Sequence, residues 1–368
     1  MNDRDYMRLA LELAEQGRGR TSPNPMVGAV IVRDGQIIGR GYHRRCGDLH
    51  AEREALADCR ESPAGGTLYV TLEPCCHWGR QPPCADAITE AGITRVVVGS
   101  MDPNPLVSGK GIARLRDCGV TVETGVLRDE CDALNRVFFH YITSGRPYVT
   151  MKYAMTLDGK IATRTGASRW ITGEAARERV HLDRSRNAAI MVGVGTVLAD
   201  DPLLTCRIEG GKNPIRIVCD SRLRTPLDSK IAQTAKEVPT ILAAAEGDAD
   251  RTGPFEAAGL RVWVLPERNG HLDLTALMER LGAEEIDSVL LEGGGRLNWA
   301  ALEAGLVQRV QAYIAPKLFG GAEAKSPIRG RGVDLPGQCA WLEDISITRL
   351  GEDFLLEGEV KRHVYGAC

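Results

Sequence analysis

No stretch of roughly 18 or more consecutive apolar residues occurs in the chain, so no segment reads as a membrane-spanning helix. The first residues, Met1-Asn2-Asp3-Arg4-Asp5, carry both signs of charge and lack the apolar core of a secretory signal, so a cytoplasmic protein is expected. Long basic runs are missing and the formal charge is only -3, which disfavours duplex nucleic acid as a partner because that ligand needs a broad cationic surface. Neither an internal repeat nor a low-complexity tract is visible. The Rossmann fingerprint is incomplete in both places where it begins. Gly293 to Asn298 reads G-x-G-x-x-N and Gly193 to Leu198 reads G-x-G-x-x-L, each without the third glycine.

What remains is an ordinary globular composition over 368 residues. Single cores stop growing before that length, so two domains are expected. Eleven cysteines are an odd number in a chain too long to need staples. In a reducing compartment they stay thiols, and clustered ones are candidate metal ligands. Periodicity predicts helices at 5–17, 50–59, 84–91, 111–117 and 127–141, and strands at 26–32, 36–42, 67–71 and 95–99, with Asp34-Gly35 as a hairpin turn. The cluster Ser144-Gly145-Arg146-Pro147 is the strongest turn signal after a helix able to close a domain, giving domains 1–145 and 146–368. Beyond it, strands at 147–154, 188–193, 215–220, 240–244, 261–265, 288–292 and 309–314 accompany helices at 174–185, 274–282 and 297–304. Both halves therefore read as α/β.

His50-Ala51-Glu52 opens a predicted helix, Glu73-Pro74-Cys75 follows a strand, and Cys84 starts the next helix after Pro82-Pro83. A catalytic zinc takes three protein ligands and leaves one position for water, whose pKa it lowers. His50, Cys75 and Cys84 supply such a set. Glu52, two residues past the histidine, is placed to shuttle a proton rather than to ligate. Cys75 and Cys84 are separated by eight residues where zinc deaminases generally have two, so Cys76 and His77 are rival ligands. Cys84 is preferred because a helix N-terminus favours a thiolate.

On these residues the first 145 positions resemble the cytidine-deaminase-like fold. Within it they resemble the N-terminal domain of bifunctional riboflavin-biosynthesis deaminase/reductases. The matching stretches are Pro23-Asn24-Pro25-Met26-Val27-Gly28-Ala29, His50-Ala51-Glu52, Thr71-Leu72-Glu73-Pro74-Cys75, Gly79-Arg80-Gln81-Pro82-Pro83-Cys84 and Asp102-Pro103-Asn104-Pro105. The resemblance explains the long loop between the two cysteines. It also marks Cys76 as a departure, since the family usually has serine there. Asn24 is a candidate binder of the substrate amide.

In the second half, the apolar strand at 288–292 runs into Gly293-Gly294-Gly295-Arg296 and a helix, and Ala189 to Val192 feeds Gly193-Val194-Gly195-Thr196 in the same way. A strand, a glycine turn and a helix N-terminus make a ready phosphate site. Residues 146–368 resemble the reductase domain of the same family, whose fold is similar to dihydrofolate reductase. The resemblance rests on Lys152 to Ala162, Ser168-Arg169-Trp170-Ile171-Thr172, Gly193 to Val197, Asp200 to Arg207 and Glu292 to Gly295.

The resemblance implies that Ala154, Trp170, Thr196, Asp200, Ser221 and the loop Gly294-Gly295-Arg296-Leu297-Asn298 contact a dinucleotide. It implies that Ser168, Arg184, Leu204, Arg207 and Glu292 contact substrate. Arg184 and Arg207 suit a phosphomonoester, since a guanidinium pairs bidentately with phosphate oxygens. Arg222 after the strand at 215–220 suits a 2′-phosphate, favouring NADPH over NADH. Lys152 and Glu292 are the polar residues expected near the sugar.

The implied cofactors are Zn2+ and NADPH. The implied reactions are hydrolytic deamination of a diaminopyrimidinone ribosylamine 5′-phosphate and reduction of its ribosyl group to ribityl. The expected partner is thus a small phosphorylated pyrimidine, with no nucleic acid and no membrane; a homo-oligomer is compatible with the sequence, which sets no copy number. Two rivals differ in class: a nucleic-acid deaminase, opposed by the near-neutral charge and the second α/β domain, and a non-enzymatic binding module on a decayed scaffold, opposed by the intact His, Glu and two Cys.

Overall fold

The computed structural model describes residues 1–78 and 82–361. The chain divides into two compact units, Met1–Arg146 and Pro147–Cys368. Within the Gly79 to Cys84 stretch, residues 79–81 lie outside the described residues.

In the first unit, strands β1 (Gly28–Arg33), β2 (Gln36–Tyr42), β3 (Thr67–Leu72), β4 (Arg95–Ser100) and β5 (Thr121–Thr124) form one sheet in the order β2-β1-β3-β4-β5. β1 pairs antiparallel with β2 and β3, and β3, β4 and β5 run parallel. Asp34 and Gly35 both have positive φ, the conformation a two-residue hairpin turn demands. Helices α1 (Asp3–Glu15), α2 (Ala51–Asp58), α3 (Cys84–Glu90), α4 (Lys110–Asp117), α5 (Arg128–Leu134) and α6 (Arg136–Ser144) complete the unit.

Successive side chains of a strand face opposite sides. Ala29 and Ile31 therefore pack with Ala51, Ala55, Ile88 and Ile112, while Val30 and Val32 pack with Tyr6, Met7 and Ala10. Burial on both faces is why these strands read as near-continuous apolar runs. α2 lies almost on the backbone of β2: a Cβ at Gly41 would stand 2.4 Å from the Ala51 carbonyl oxygen.

One expectation is corrected here, and one strand had not been expected. The helix predicted at 127–141 is broken at Asn135, whose side chain accepts from the Met26 amide and donates to the Met26 carbonyl, both at 2.8 Å. A side chain clamped to a distant backbone in this way takes the chain out of helical register. β5, which no sequence signal announced, is a four-residue edge strand with one buried side chain.

The second unit holds β6 (Tyr148–Thr156), β7 (Ala189–Gly193), β8 (Ile215–Cys219), β9 (Thr240–Ala245), β10 (Arg261–Leu265), a small hairpin of β11 (Glu267–Arg268) and β12 (His271–Leu272), β13 (Ser288–Leu291), β14 (Arg309–Ala315), β15 (Leu342–Leu350) and β16 (Asp353–Val360). Its helices are α7 (Glu174–Arg186), α8 (Val194–Asp200), α9 (Lys230–Gln233), α10 (Gly253–Ala257), α11 (Leu274–Ala283) and α12 (Gly295–Glu303). Nine strands form one sheet, β10-β9-β8-β7-β13-β6-β14-β16-β15, parallel from β10 to β14 and antiparallel at β16 and β15. Cores cover both faces, one around Met151, Ile217 and Leu277, the other around Ile190, Val218 and Leu242. The β15–β16 hairpin is a further departure from the sequence reading, which placed no strand there.

Arg216 on β8 is wholly buried, yet no carboxylate pairs with it in the described contacts. Its guanidinium donates to Thr240 Oγ1 (2.9 Å), Thr234 Oγ1 (2.8 Å) and the carbonyls of Leu203, Ile231 and Val238 (3.1 Å each). Burial lowers its pKa to about 10. Removing it strands several buried acceptors, each costing about 1–3 kcal/mol unless water reaches it. Arg216→Met is expected to destabilise the second unit by about 3 kcal/mol or more, read as a lower denaturant midpoint. A midpoint matching wild type would mean that the carbonyls find water instead.

Candidate active sites

The first site gathers at the C-terminal end of β3. His50 is the N-cap of α2, Cys75 lies three residues past β3, and Cys84 is the first residue of α3. Their ligand atoms all lie within 4.8 Å of one another. His50 Nδ1 is 3.6 Å from Cys75 Sγ and 3.3 Å from Cys84 Sγ. Cys76 and His77 stand outside this group.

The Cys84 thiol and backbone amide both donate to the Cys75 sulfur, which brings the Cys75 thiol down to about 4, with His50 adding to the effect. The same bond pushes the Cys84 thiol up. Two thiols competing for one proton beside an imidazole are a donor set that a divalent cation satisfies better than the proton does. One nitrogen and two sulfurs suit zinc with a fourth position open. Glu52, 4% exposed, is the second residue of α2, and burial raises its pKa against the opposing pull of His50.

Several residues that sequence reasoning missed support this site. Glu73 is buried and accepts from the backbone amides of Asp102, Gly109, Gly111 and Ile112 at 3.0–3.3 Å, tying the start of α4 to the segment that carries Cys75. Arg53 donates to the carbonyls of Pro82 and Pro83 at 3.2 Å, holding the entry to Cys84. His43 is buried edge-on to His50, ring centroids 5.7 Å apart. Its Nδ1 meets the Leu49 carbonyl at 3.0 Å and its Nε2 meets the Asn24 amide nitrogen at 3.2 Å. Burial lowers the His43 pKa, so it stays neutral, and Nε2 accepts from Asn24. No periodicity marks these residues, since each acts through backbone atoms or through a partner far away in sequence.

The second site is a cavity of about 480 Å³ in the second unit. It brings together Lys152, Ala154, Ser168, Trp170, Arg184, Thr196, Asp200, Leu204, Arg207 and Glu292, ten of the residues singled out from the sequence. Leu203, which Arg216 holds by its carbonyl, forms part of the wall.

Ser221 and the Gly294 to Asn298 loop are not among the lining residues. Ser221 Oγ accepts from the Leu272 amide at 3.0 Å. Asn298 is buried and donates to the Pro327 carbonyl, while its Oδ1 has no partner. A Cβ on Gly294 or Gly195 would meet nothing within 4 Å, so both glycine turns present open backbone, as a pyrophosphate-binding turn must.

Arg184 does not hold its guanidinium ready for a phosphate. Nε and Nη2 pair with the two Glu292 oxygens at 2.7 and 2.9 Å, and Nη1 donates to the Thr205 carbonyl at 3.1 Å. Lys152 Nζ stands 3.6 Å from Glu292 as well. Burial alone raises a carboxyl, but the two cations override it and bring Glu292 down to about 2. Ser168 donates to Asp200 at 3.1 Å. His181, unremarked in the sequence, lines the cavity one turn before Arg184. Burial, then Arg184 and Arg207, lower it to about 4, so it is a neutral ring there.

The chain matches two family models: the cytidine and deoxycytidylate deaminase zinc-binding region over residues 1–100, and the RibD C-terminal domain over 147–356. The riboflavin biosynthesis protein RibD of Actinobacillus pleuropneumoniae is 55% identical, with 97% of this chain and 95% of that protein aligned. Its counterpart in Escherichia coli K12 is 44% identical over the full length of both. Among solved structures, Acinetobacter baumannii RibD form 1 matches with a TM-score of 0.87 at 36% identity, covering 98% of this chain and 99% of that one. The diaminohydroxyphosphoribosylaminopyrimidine deaminase/5-amino-6-(5-phosphoribosylamino)uracil reductase of Thermotoga maritima matches with a TM-score of 0.85 at 36% identity and the same coverage. No helix of the described residues is long and apolar enough to cross a membrane.

Proposed function

The chain belongs to the RibD family of riboflavin-biosynthesis deaminase/reductases, and from that premise we propose that the two sites described above carry its two reactions. It is a bifunctional enzyme with a cytidine-deaminase-like N-terminal domain and a RibD-type reductase domain, using zinc and NADPH. The observation that carries the assignment is the convergence of His50, Cys75 and Cys84 beside the buried Glu52.

In the deaminase half, His50, Cys75 and Cys84 hold the metal. Zinc, when bound, supplies Lewis-acid activation of water near neutral pH. Glu52 moves protons to the ring nitrogen and then to the departing ammonia. Asn24, its amide nitrogen engaged by His43, keeps its oxygen to accept from the pyrimidine.

In the reductase half, NADPH when bound supplies hydride for C1′ of the sugar. Ala154, Trp170, Thr196, Asp200, Ser221 and Gly294 to Asn298 form its berth. Lys152 and Glu292 flank the sugar, with Arg184 keeping Glu292 ionised; Ser168 and Leu204 contact the rest of the substrate, and Arg207 takes the phosphate. The partner is thus a phosphorylated pyrimidine rather than nucleic acid, the cysteines are those of a reduced, cytoplasmic protein, and no copy number follows.

Incubating the protein with the ribosylaminopyrimidine phosphate tests the reading. Ammonia should appear without NADPH, and NADPH absorbance should fall only once deaminated product is present. Ammonia release that requires NADPH would sink the two-site assignment.

Cofactor choice gives a second measurement. Arg222 is exposed just past β8, and its carbonyl accepts from Arg251 at 3.1 Å. A charge-assisted bond to the 2′-phosphate contributes roughly 1.5–3 kcal/mol, a preference of about tenfold to a hundredfold for NADPH over NADH. Arg222→Ala should shrink that ratio by weakening NADPH alone. An unchanged ratio would put 2′-phosphate recognition elsewhere.

A further inference from the structure

Glu292 carries one negative charge against two buried cations, Arg184 and Lys152. Arg184 takes the carboxylate by both oxygens, so Lys152 shares an acceptor that is already committed. A nearly buried ammonium, its side chain 11% exposed, needs further compensation. That compensation is the ring of Tyr313, whose centroid lies 5.5 Å from Lys152 Nζ. The two residues stand on neighbouring parallel strands, where Gln311 is the register partner of Lys152 and Tyr313 that of Ala154.

The ring is held on every side. Tyr313 is fully buried among Ala176, Val180 and Leu355. Its hydroxyl donates to Asp183 Oδ2 at 2.6 Å, and Arg179 holds the other oxygen of that carboxylate at 3.2 Å. Burial and Asp183 push the phenol up, so it remains a donor. Asp183 immediately precedes Arg184 on α7.

We propose that Tyr313 is a positioning residue of the reductase, its ring face fixing the Lys152 ammonium beside Glu292. The proposal rests on the reading that Lys152 and Glu292 belong to the reductase site. A cation over a desolvated aromatic face is attracted by the ring quadrupole, and fluorine on the ring withdraws that attraction with little change in size.

The test uses the full-length protein loaded with zinc, supplied with deaminated intermediate and NADPH. Tyr313→Phe keeps the face and leaves Asp183 with Arg179, so kcat should stay within about threefold of wild type. Phenylalanines of increasing fluorination at position 313 should then lower kcat stepwise, by about tenfold in all, with the NADPH KM unchanged. Ammonia release from the other unit, measured on the same preparations, should not move, which separates failure of this proposal from failure of the two-site assignment. A kcat indifferent to fluorination, or a Tyr313→Phe loss as large as that of the fully fluorinated ring, overturns the proposal.

Discussion

Glu52→Gln should abolish ammonia release while leaving NADPH oxidation of supplied intermediate at its wild-type rate. The amide keeps the size and burial of the carboxyl but cannot carry a proton. Proton transfer by a positioned group is worth roughly 10²- to 10⁴-fold. The structure favours Glu52 for that work because burial raises its pKa, and a carboxyl raised from its ordinary range both takes up and returns a proton more readily near neutral pH. The reductase cavity draws all its lining residues from the second unit, and Glu52 contributes nothing to it. If both activities fall together in a protein whose unfolding transition is unchanged, the assignment of one reaction to each unit is wrong.

The deaminase constellation was legible because its chemistry dictates residue types at element ends. A helix opening on His50, a loop leaving β3 through Cys75 and a second helix opening on Cys84 are local features, and the structure draws their three ligand atoms together. What could not be read depends on partners distant in sequence. Asn135 breaks a helix because it finds Met26, 109 residues away. Arg184 looked like a free guanidinium because nothing in its own segment announces Glu292, 108 residues on.

Arg216 interrupts an otherwise apolar strand, Ile215-Arg216-Ile217-Val218-Cys219, and nothing in that run announces partners for it. It is wholly buried, because five neutral acceptors from three surrounding segments converge on it. The β15–β16 hairpin escaped for a different reason. Glu343, Asp344, Glu352 and Asp353 interrupt the alternation, and β15 is exposed along most of its length, so no buried face imprinted a pattern on it.

Cys84→Ser should strip most of the metal from a protein that otherwise holds about one zinc per chain. Cys84 is wholly buried, and its sulfur is the closer of the two to His50 Nδ1, at 3.3 Å. A serine hydroxyl does not ionise in the working range and is a harder donor than a thiolate, so the site keeps only two good ligands. Zinc content of the purified variant, measured by plasma mass spectrometry, should fall well below that of wild type. Ammonia release should fall with it, and NADPH oxidation of supplied intermediate should persist. Cys76→Ser is the matched control: its sulfur lies outside the ligand group, 4.0 Å from the Leu106 carbonyl, and burial pushes that thiol up rather than toward a thiolate. Full zinc retention in Cys84→Ser together with loss in Cys76→Ser would move the third ligand to Cys76. Retention in both single variants would bring His77 in, since its ring already stands next to Cys76 in the chain with a buried, unpartnered Nδ1.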